Sequence, residues 1–555
     1  MNTRDEASGP PTPGADAAAP EASALHVFEH RTLLRHPREV VWRWLTNRGA
    51  LTRLTPDYAG TVLQEPEPGL PVGAEAVLRI SAPGGLGLFA GAAHGTVSQA
   101  LSALLPTRLP APQATWRARH TALEPGIMFR DEMVSGPLRS WVHTHTLSDA
   151  APGEADTADG HPGTLVHDRI EYRLPADETL AKVPAVGKRT GRAAHDAFER
   201  ALATQFSSRA ALMAEDLDFH AAHPGPLHGA PAKTVVVTGA SGLIGTRLCA
   251  LLTSGGHTVV RLVRDESQAA AADASLWDPL QGRVDRGVLA SADAVVNLAG
   301  ASIAGRMTAS HKEAVHHSRI AGTRTLAEAI LGLASSSKHH GNNDDGRPAP
   351  ALINGSAVGW YGADAGDGGL PEGLTEDLPA GEDFLAEVCR DWEAEARAVE
   401  SAGIRCVRIR TGIALSPAGG MLQQLLPIFL AGLGGTLSTR GSGPDGTPWM
   451  SWISADDVAS LFAHAALDGS VSGPLNAVAP EPVTAKEFAA ALGAVLHRPS
   501  AVPVPGFGPR LLLGREGAEL IVDADQKASS AAAEAAGHRF RHRTLDQALR
   551  SVLGR

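Results

Sequence analysis

Apolar positions along this chain follow two different registers. From Lys233 the run KTVVVTGASGLIG opens with a solid block of β-branched residues, the mark of a strand buried on both faces. It then breaks into Gly239, Gly242 and Gly245 before a helical spacing resumes. Further solid runs, HTVVRLV at 257–263 and DAVVNLAG at 293–300, and a strand opening at 351, predict buried parallel strands joined by helices. Before residue 223 the pattern changes. A strand is predicted over 26–34, a helix near 37–46, then several alternating stretches. WVHTHTLS (141–148) and TLVHDRIEYRLP (164–175) read as paired strands, and the acidic APGEADTADGHPG between them as a long hairpin loop. A long helix over about 190–220 follows, with Phe198, Leu202, Phe206, Ala210, Met213 and Leu217 on one face.

The glycines after the valine strand carry chemistry. The first permits a turn that a β-carbon would obstruct, the second lets backbone approach a pyrophosphate, and the third lets the helix sit tightly on its strand. The helix N-terminus then offers free N–H groups and the positive end of its dipole. Gly239, Ser241, Gly242, Leu243, Ile244 and Gly245 are therefore expected to hold a dinucleotide, with Asn297, Leu298, Ala299 and Gly300 leaving room for its nicotinamide ribose. Arg264 directly follows the second strand, where an acid would hold a ribose 2′-hydroxyl and an arginine suits a 2′-phosphate. NADP is the expected cofactor, with NAD as the alternative, since Asp265 stands beside Arg264.

These features resemble the extended short-chain dehydrogenase/reductases. More narrowly, TGASGLIG, NLAGASIAGR with SRIAGTR, SAVGWYG and DFLAEVCRDWE (383–393) resemble an atypical branch, the nucleoside-diphosphate-sugar-epimerase-like or cell-division-inhibitor-like proteins. RTGIALSPAGGML and SWISADD extend the resemblance over most of 233–480. It implies an α/β Rossmann-type doubly wound parallel sheet with a small C-terminal helical lobe. By the same resemblance Asp278, after Trp277, is placed near the adenine; an ordinary strand-end turn is the equal alternative.

The usual proton-transfer pair of that superfamily is missing. In a Tyr-x-x-x-Lys couple the ammonium lowers the phenol pKa from its reference of about 10. The chain has three tyrosines, Tyr58, Tyr172 and Tyr361, and Val62, Ala176 and Ala365 lie four residues beyond them. Phe384 and Val388 fill the expected slots, and neither moves a proton. Ser356 and Tyr361 are the remaining candidates for a proton relay or for substrate positioning. Asp383 and Glu387 would replace the base only by turning inward. Pro448 and Ser454 depart from the family's glutamine and histidine, which unsettles any carry-over of substrate. Ser454-x-x-Asp457 and Thr484-x-x-Glu487 have capping-box spacing, the bland reading of their acids.

In the first part of the chain, LTRLTPDY, FRDEMVSGPLRSWVHTH and HDRIEYRLP resemble the cyclase/dehydrase-like members of the helix-grip (START/SRPBCC-type) superfamily. That resemblance implies an α+β domain whose long helix closes a cavity for a hydrophobic ligand. His143 and His145 share a strand face, yet no third ligand has suitable spacing and Asp168 beside His167 adds none, so no metal is expected.

The organisation that follows is a disordered tail at 1–24, a helix-grip domain at 25–222, a linker at 223–232, the Rossmann domain at 233–480 and a helical appendage at 481–555. ASSSKHHGNNDDGRPAP (334–350) reads as a surface loop. A net charge of −11 argues against a nucleic-acid groove, and no apolar run reaches membrane length. Cys249, Cys389 and Cys406 form neither disulfide nor metal spacing. With no signal segment, a cytoplasmic protein acting on a small molecule is expected, its oligomeric state open. Two functions fit: an NADP-dependent oxidoreductase or epimerase-like enzyme, and a nucleotide-responsive binding protein without turnover.

Overall fold

A computed structural model describes residues 25–81, 113–174, 184–340, 348–438, 441–500 and 507–555. The tail at 1–24 and the GNNDDGR part of the expected loop lie outside these residues.

Alternation builds the first layer. β1 (His26–Leu34), β2 (Gly60–Gln64), β3 (Glu75–Ser81), β4 (Gln113–Glu124), β5 (Met128–Ser135), β6 (Ser140–Asp149) and β7 (Thr164–Arg173) form one antiparallel sheet, ordered β1-β7-β6-β5-β4-β3-β2. Burial along β7 alternates at every residue, so one face of the sheet is a core face. The helix Pro184–Ala222 lies across it, longer at both ends than the expected 190–220. Its apolar stripe is the expected one, with Phe198, Leu202, Phe206, Met213 and Leu217 all buried.

The solid apolar runs form the second sheet. β8 (Thr234–Thr238), β9 (Thr258–Val263), β10 (Ala274–Asp278), β11 (Arg283–Val284), β12 (Ala294–Asn297), β13 (Ala351–Ala357), β14 (Cys406–Thr411) and β18 (Gly473–Ala477) take the order β11-β10-β9-β8-β12-β13-β14-β18. Every pair is parallel except β10 with β11. Val235, Val236 and Val237 of β8 are fully buried, as a central strand covered on both faces requires. The chain winds outward from β8 through β9 to β10, then returns to β12 on the other side. The crevice between the ends of β8 and β12 is thus the switch point where such sheets bind ligands.

Beyond it, β15 (Ile413–Leu415) pairs with β17 (Trp452–Ser454), and β16 (Trp449–Met450) with β19 (Val483–Thr484). The helices Gly420–Leu430, Ala485–Leu496 and Leu545–Leu553 share a separate apolar core around Leu422, Phe429, Phe488, Leu492 and Leu549. Both capping readings hold. Ser454 accepts from the Asp457 N–H, and Thr484 and Glu487 form a reciprocal box.

One expectation is corrected. The segment from Ala334 is not all loop: the helix Ala309–His340 continues through it to His340, because no glycine or proline interrupts before Gly341. The linker is packed. It contains the 3-10 turn Pro226–His228, buries Leu227, and Arg43 donates to the Pro226 carbonyl.

Buried charge joins the two sheets' structures. Arg53 donates to both oxygens of Asp216 at 2.7 and 2.8 Å and to Asp456 at 2.6 Å. Arg247 binds Asp456 at 2.8 Å and Asp57 at 2.5 Å, and Arg541 binds Asp216 at 2.7 Å. Although burial favours its neutral form, Arg247 and Arg53 hold Asp456 far below the usual carboxylate range.

Candidate functional site

At the switch point the glycines answer to specific contacts. Gly239 has φ +65°, and a β-carbon there would lie 2.7 Å from the Leu298 carbonyl oxygen. One on Gly245 would lie 2.2 Å from the Gly239 carbonyl oxygen, so only glycine lets this helix start beside the turn. Gly242 has an ordinary φ of −77°; it is the N-cap of the helix Leu243–Ser254 and supplies no side-chain cap. Its role is lack of bulk: Ser241 and Gly242 are exposed at the helix start, while Ile244 packs on the sheet core and Leu243 faces Gly419, the N-cap of the helix Gly420–Leu430. Thr238, which sequence reasoning missed, pins the facing loop. Its hydroxyl donates to Asn297 Oδ1 at 2.7 Å and accepts the N–H groups of Leu298 and Ala299 at 3.0 and 3.1 Å.

Arg264 is exposed at the end of β9. Asp265 turns away to cap the next helix, accepting from the Ser267 and Gln268 N–H groups. Asp278 likewise caps a turn, taking the Leu280 and Gln281 N–H groups and pairing with Arg283 at 3.0 Å, in line with its strand-end reading. Asn297 is fully buried, and its amide donates to Thr323 and Asn354. Its side chain secures the strand ends, while Ala299 and Gly300 line the loop. A β-carbon on Gly300 would lie 3.1 Å from the Arg319 guanidinium.

Ser356 and Tyr361 meet in one buried network. Ser356 donates to Glu393 Oε1 at 2.8 Å, and Arg410 donates to the same oxygen at 2.8 Å. Tyr361 donates to Asn476 at 2.8 Å and accepts from Arg410 at 3.2 Å. Burial pushes the Tyr361 phenol up to about 12, against the opposing pull of Arg410. Phe384 and Val388 do lie in the first turns of the helix Phe384–Ser401. Asp383 caps that helix through the Ala386 N–H and also accepts from Ala363, and Glu387 is exposed, so neither turns inward as a base. The inward carboxylate is Glu393, the last residue of DFLAEVCRDWE. Its place on the apolar stripe, four residues after Cys389 and one after Trp392, was the available signal.

Residues 235–477 match the NAD dependent epimerase/dehydratase family, and 504–552 match a domain of unknown function, DUF1731. Epimerase family protein Mb2239 of Mycobacterium bovis is 38% identical over 319 residues, covering 57% of this chain and 96% of that protein. This chain belongs to the epimerase family. Human epimerase family protein SDR39U1 is 32% identical over 323 residues, covering 58% of this chain and 99% of its own length. The solved structure of a nucleoside-diphosphate sugar epimerase from Corynebacterium glutamicum is similar over 95% of this chain and 90% of that one, with 31% identity and a TM-score of 0.65. That likeness therefore reaches into the first sheet as well as the epimerase-family part.

Between the first sheet and its long helix lies a cavity of about 190 Å³. Leu54, Leu78, Trp116, Phe129, Phe198 and Leu202 supply much of its apolar wall. One end is polar. Asp131 on β5 pairs in register with His143 on β6, and His145 on β6 with Asp168 on β7. Asp168 Oδ1 takes His143 Nε2 at 3.0 Å and His145 Nδ1 at 2.7 Å. Asp168 thus points inward with the two histidines, and the further acid that sequence spacing did not supply comes from the neighbouring strand. Burial drives the His143 imidazole down to about 4. Among the described residues no helix is long and apolar enough to cross a membrane.

Proposed function

We propose that this epimerase-family chain is an NADP-dependent oxidoreductase or epimerase-like protein acting on a small molecule. The single observation behind this is a helix N-terminus left bare by Gly242 at the sheet's switch point, with exposed Arg264 at the neighbouring strand end. The cradle fits the cofactor: Gly239 and Gly245 have no room for a β-carbon, and Gly242 keeps the outer surface open to a pyrophosphate. Ser241 to Gly245 would hold the diphosphate, Arg264 the 2′-phosphate, and Leu298 to Gly300 the nicotinamide half. When bound, such a cofactor supplies hydride transfer, and the protein's part is to orient substrate and move protons.

Ser356 is the residue we assign to proton movement, backed by Glu393, with Tyr361 positioning through Asn476 and Arg410. The first sheet and its helix form, in this reading, a helix-grip domain whose cavity takes a hydrophobic ligand. Titration of the purified chain with NADPH and NADH tests the cofactor; absence of heat with both overturns it. Oxidation of NADPH against a panel of carbonyl compounds, lost in Ser356→Ala while NADPH still binds, tests the enzyme.

A second reading, a nucleotide-responsive binding protein without turnover, draws on the closed network. The Ser356 hydroxyl is donated to Glu393 and the Tyr361 hydroxyl to Asn476, and the phenol–ammonium couple is absent. No turnover across the panel, together with an NADPH-dependent rise in melting temperature, would favour it.

A further inference from the structure

We propose that Asp131, His143 and His145 are the protein ligands of one divalent first-row transition-metal ion, with zinc as the simplest occupant, in the wall of the N-terminal cavity. The site is separate from the nucleotide crevice and does not depend on the reading given for it. Potential ligand atoms of these three residues all lie within 4.8 Å of one another.

The hydrogen bonding explains why a cation belongs there. Asp168 accepts from His143 Nε2 and His145 Nδ1, which leaves the opposite nitrogens of both rings with lone pairs. Those nitrogens, His143 Nδ1 and His145 Nε2, face Asp131 Oδ2 at 3.7 and 3.8 Å. Where both rings are neutral, three acceptors converge on one point, an arrangement that a bound cation relieves. Against the opposing effect of burial, Asp168 and Asp131 together pull the His145 pKa upward, so the same pair of carboxylates favours positive charge at this spot. A shared proton would draw such atoms to about 2.7–3.2 Å. Tetrahedral ligands with bonds of about 2.0 Å stand about 3.3 Å apart, which small side-chain rotations would reach from the present spacing.

Asp168 also has the placement of a carboxylate that fixes the tautomer and ring orientation of metal-bound histidines. A second, independent observation lies beside it. His120 lines the same cavity, is 6% exposed, and its Nδ1 has no hydrogen-bond partner among the described residues.

Two imidazoles and one carboxylate suit zinc, iron(II) or cobalt(II) better than magnesium or calcium, which prefer oxygen. Three protein ligands leave a position open toward the cavity. The ligand chemistry implied is a carbonyl or carboxylate oxygen on an otherwise apolar molecule.

The test uses the untagged full chain, stripped with a chelator and titrated with cobalt(II) and then zinc(II). The expected result is one cobalt per chain at micromolar concentration, with visible ligand-field absorption that zinc abolishes. Asp131→Asn and His145→Gln should each weaken binding at least a hundredfold, and Asp168→Asn about 10–100-fold. His167→Gln, on the outward face of β7, should change nothing. Thermal unfolding checks that each variant is folded. If the variants do not fold, the wild-type titration decides alone. Failure of the stripped chain to bind either ion saturably, or binding that survives Asp131→Asn in a folded chain, overturns the proposal.

Discussion

Gly245 and Arg264 put the cofactor reading to its sharpest tests. Gly245→Ala forces a β-carbon against the Gly239 carbonyl, so the helix must shift from the turn. We expect calorimetry to show NADPH affinity reduced at least tenfold. If Arg264 holds the 2′-phosphate as proposed, Arg264→Asp removes a charge-assisted contact worth about 1.5–3 kcal/mol and should cut the preference for NADPH over NADH roughly tenfold to a hundredfold. Equal affinities before and after would sink the assignment. In the buried network Ser356 and Arg410, two of the partners of Glu393, differ in weight. Ser356→Ala leaves Glu393 its Arg410 partner and should cost about 1 kcal/mol in denaturant unfolding. Glu393→Leu strands the Arg410 guanidinium, whose side chain is 2% exposed, and should cost about 3–5 kcal/mol. Glycine spacing and the strand-end arginine were legible because they act through neighbours along the chain. Glu393 was not, because its partners Arg410 and Ser356 come from two other strands.

Elements were legible where their period was unbroken. β1 matches its predicted span, and the long helix carries its predicted stripe, since burial on one side enforces a repeat that sequence displays. The helix Ala309–His340 outran its prediction because a serine-rich composition does not end a helix when no glycine or proline breaks it, and none occurs between Ala334 and Gly341. Near the end of the helix Pro184–Ala222, His220 is 1% exposed and neither ring nitrogen has a hydrogen bond among the described residues. Asp216, His257, Arg541 and His223 surround it electrostatically, and burial, the largest influence, drives its pKa down to about 3. The unfolded chain takes up that proton near pH 6.5, so stability declines as pH falls from there toward 3, by at most about 1.4 kcal/mol per pH unit. His220→Leu should flatten this acid limb by close to one proton in denaturant unfolding followed against pH. An unchanged slope would show that the ring does not contribute.

The whole molecule is tied together by the Arg53–Asp216–Asp456–Arg247 cluster, which links the first sheet's helices to the helix bearing the glycine cradle. Arg53→Met leaves buried carboxylates short of a partner and should cost about 3–5 kcal/mol. Calorimetry should then resolve two unfolding transitions where the wild type gives one, and NADPH should raise only the later-sheet transition. A single transition in the variant would mean that the apolar contacts between the parts suffice. Sequence by itself determined the two registers, the valine strands with their glycine turn, the helix caps and the loss of the Tyr-x-x-x-Lys couple, because each is a relation between residues a few positions apart. Tertiary structure alone decided that Asp456 faces Arg53 across 403 positions, that Asp131 joins His143 and His145, and that the Asn297 amide reaches Thr323 and Asn354. Such contacts depend on strand order and on which buried charges find one another, and local periodicity carries no record of either.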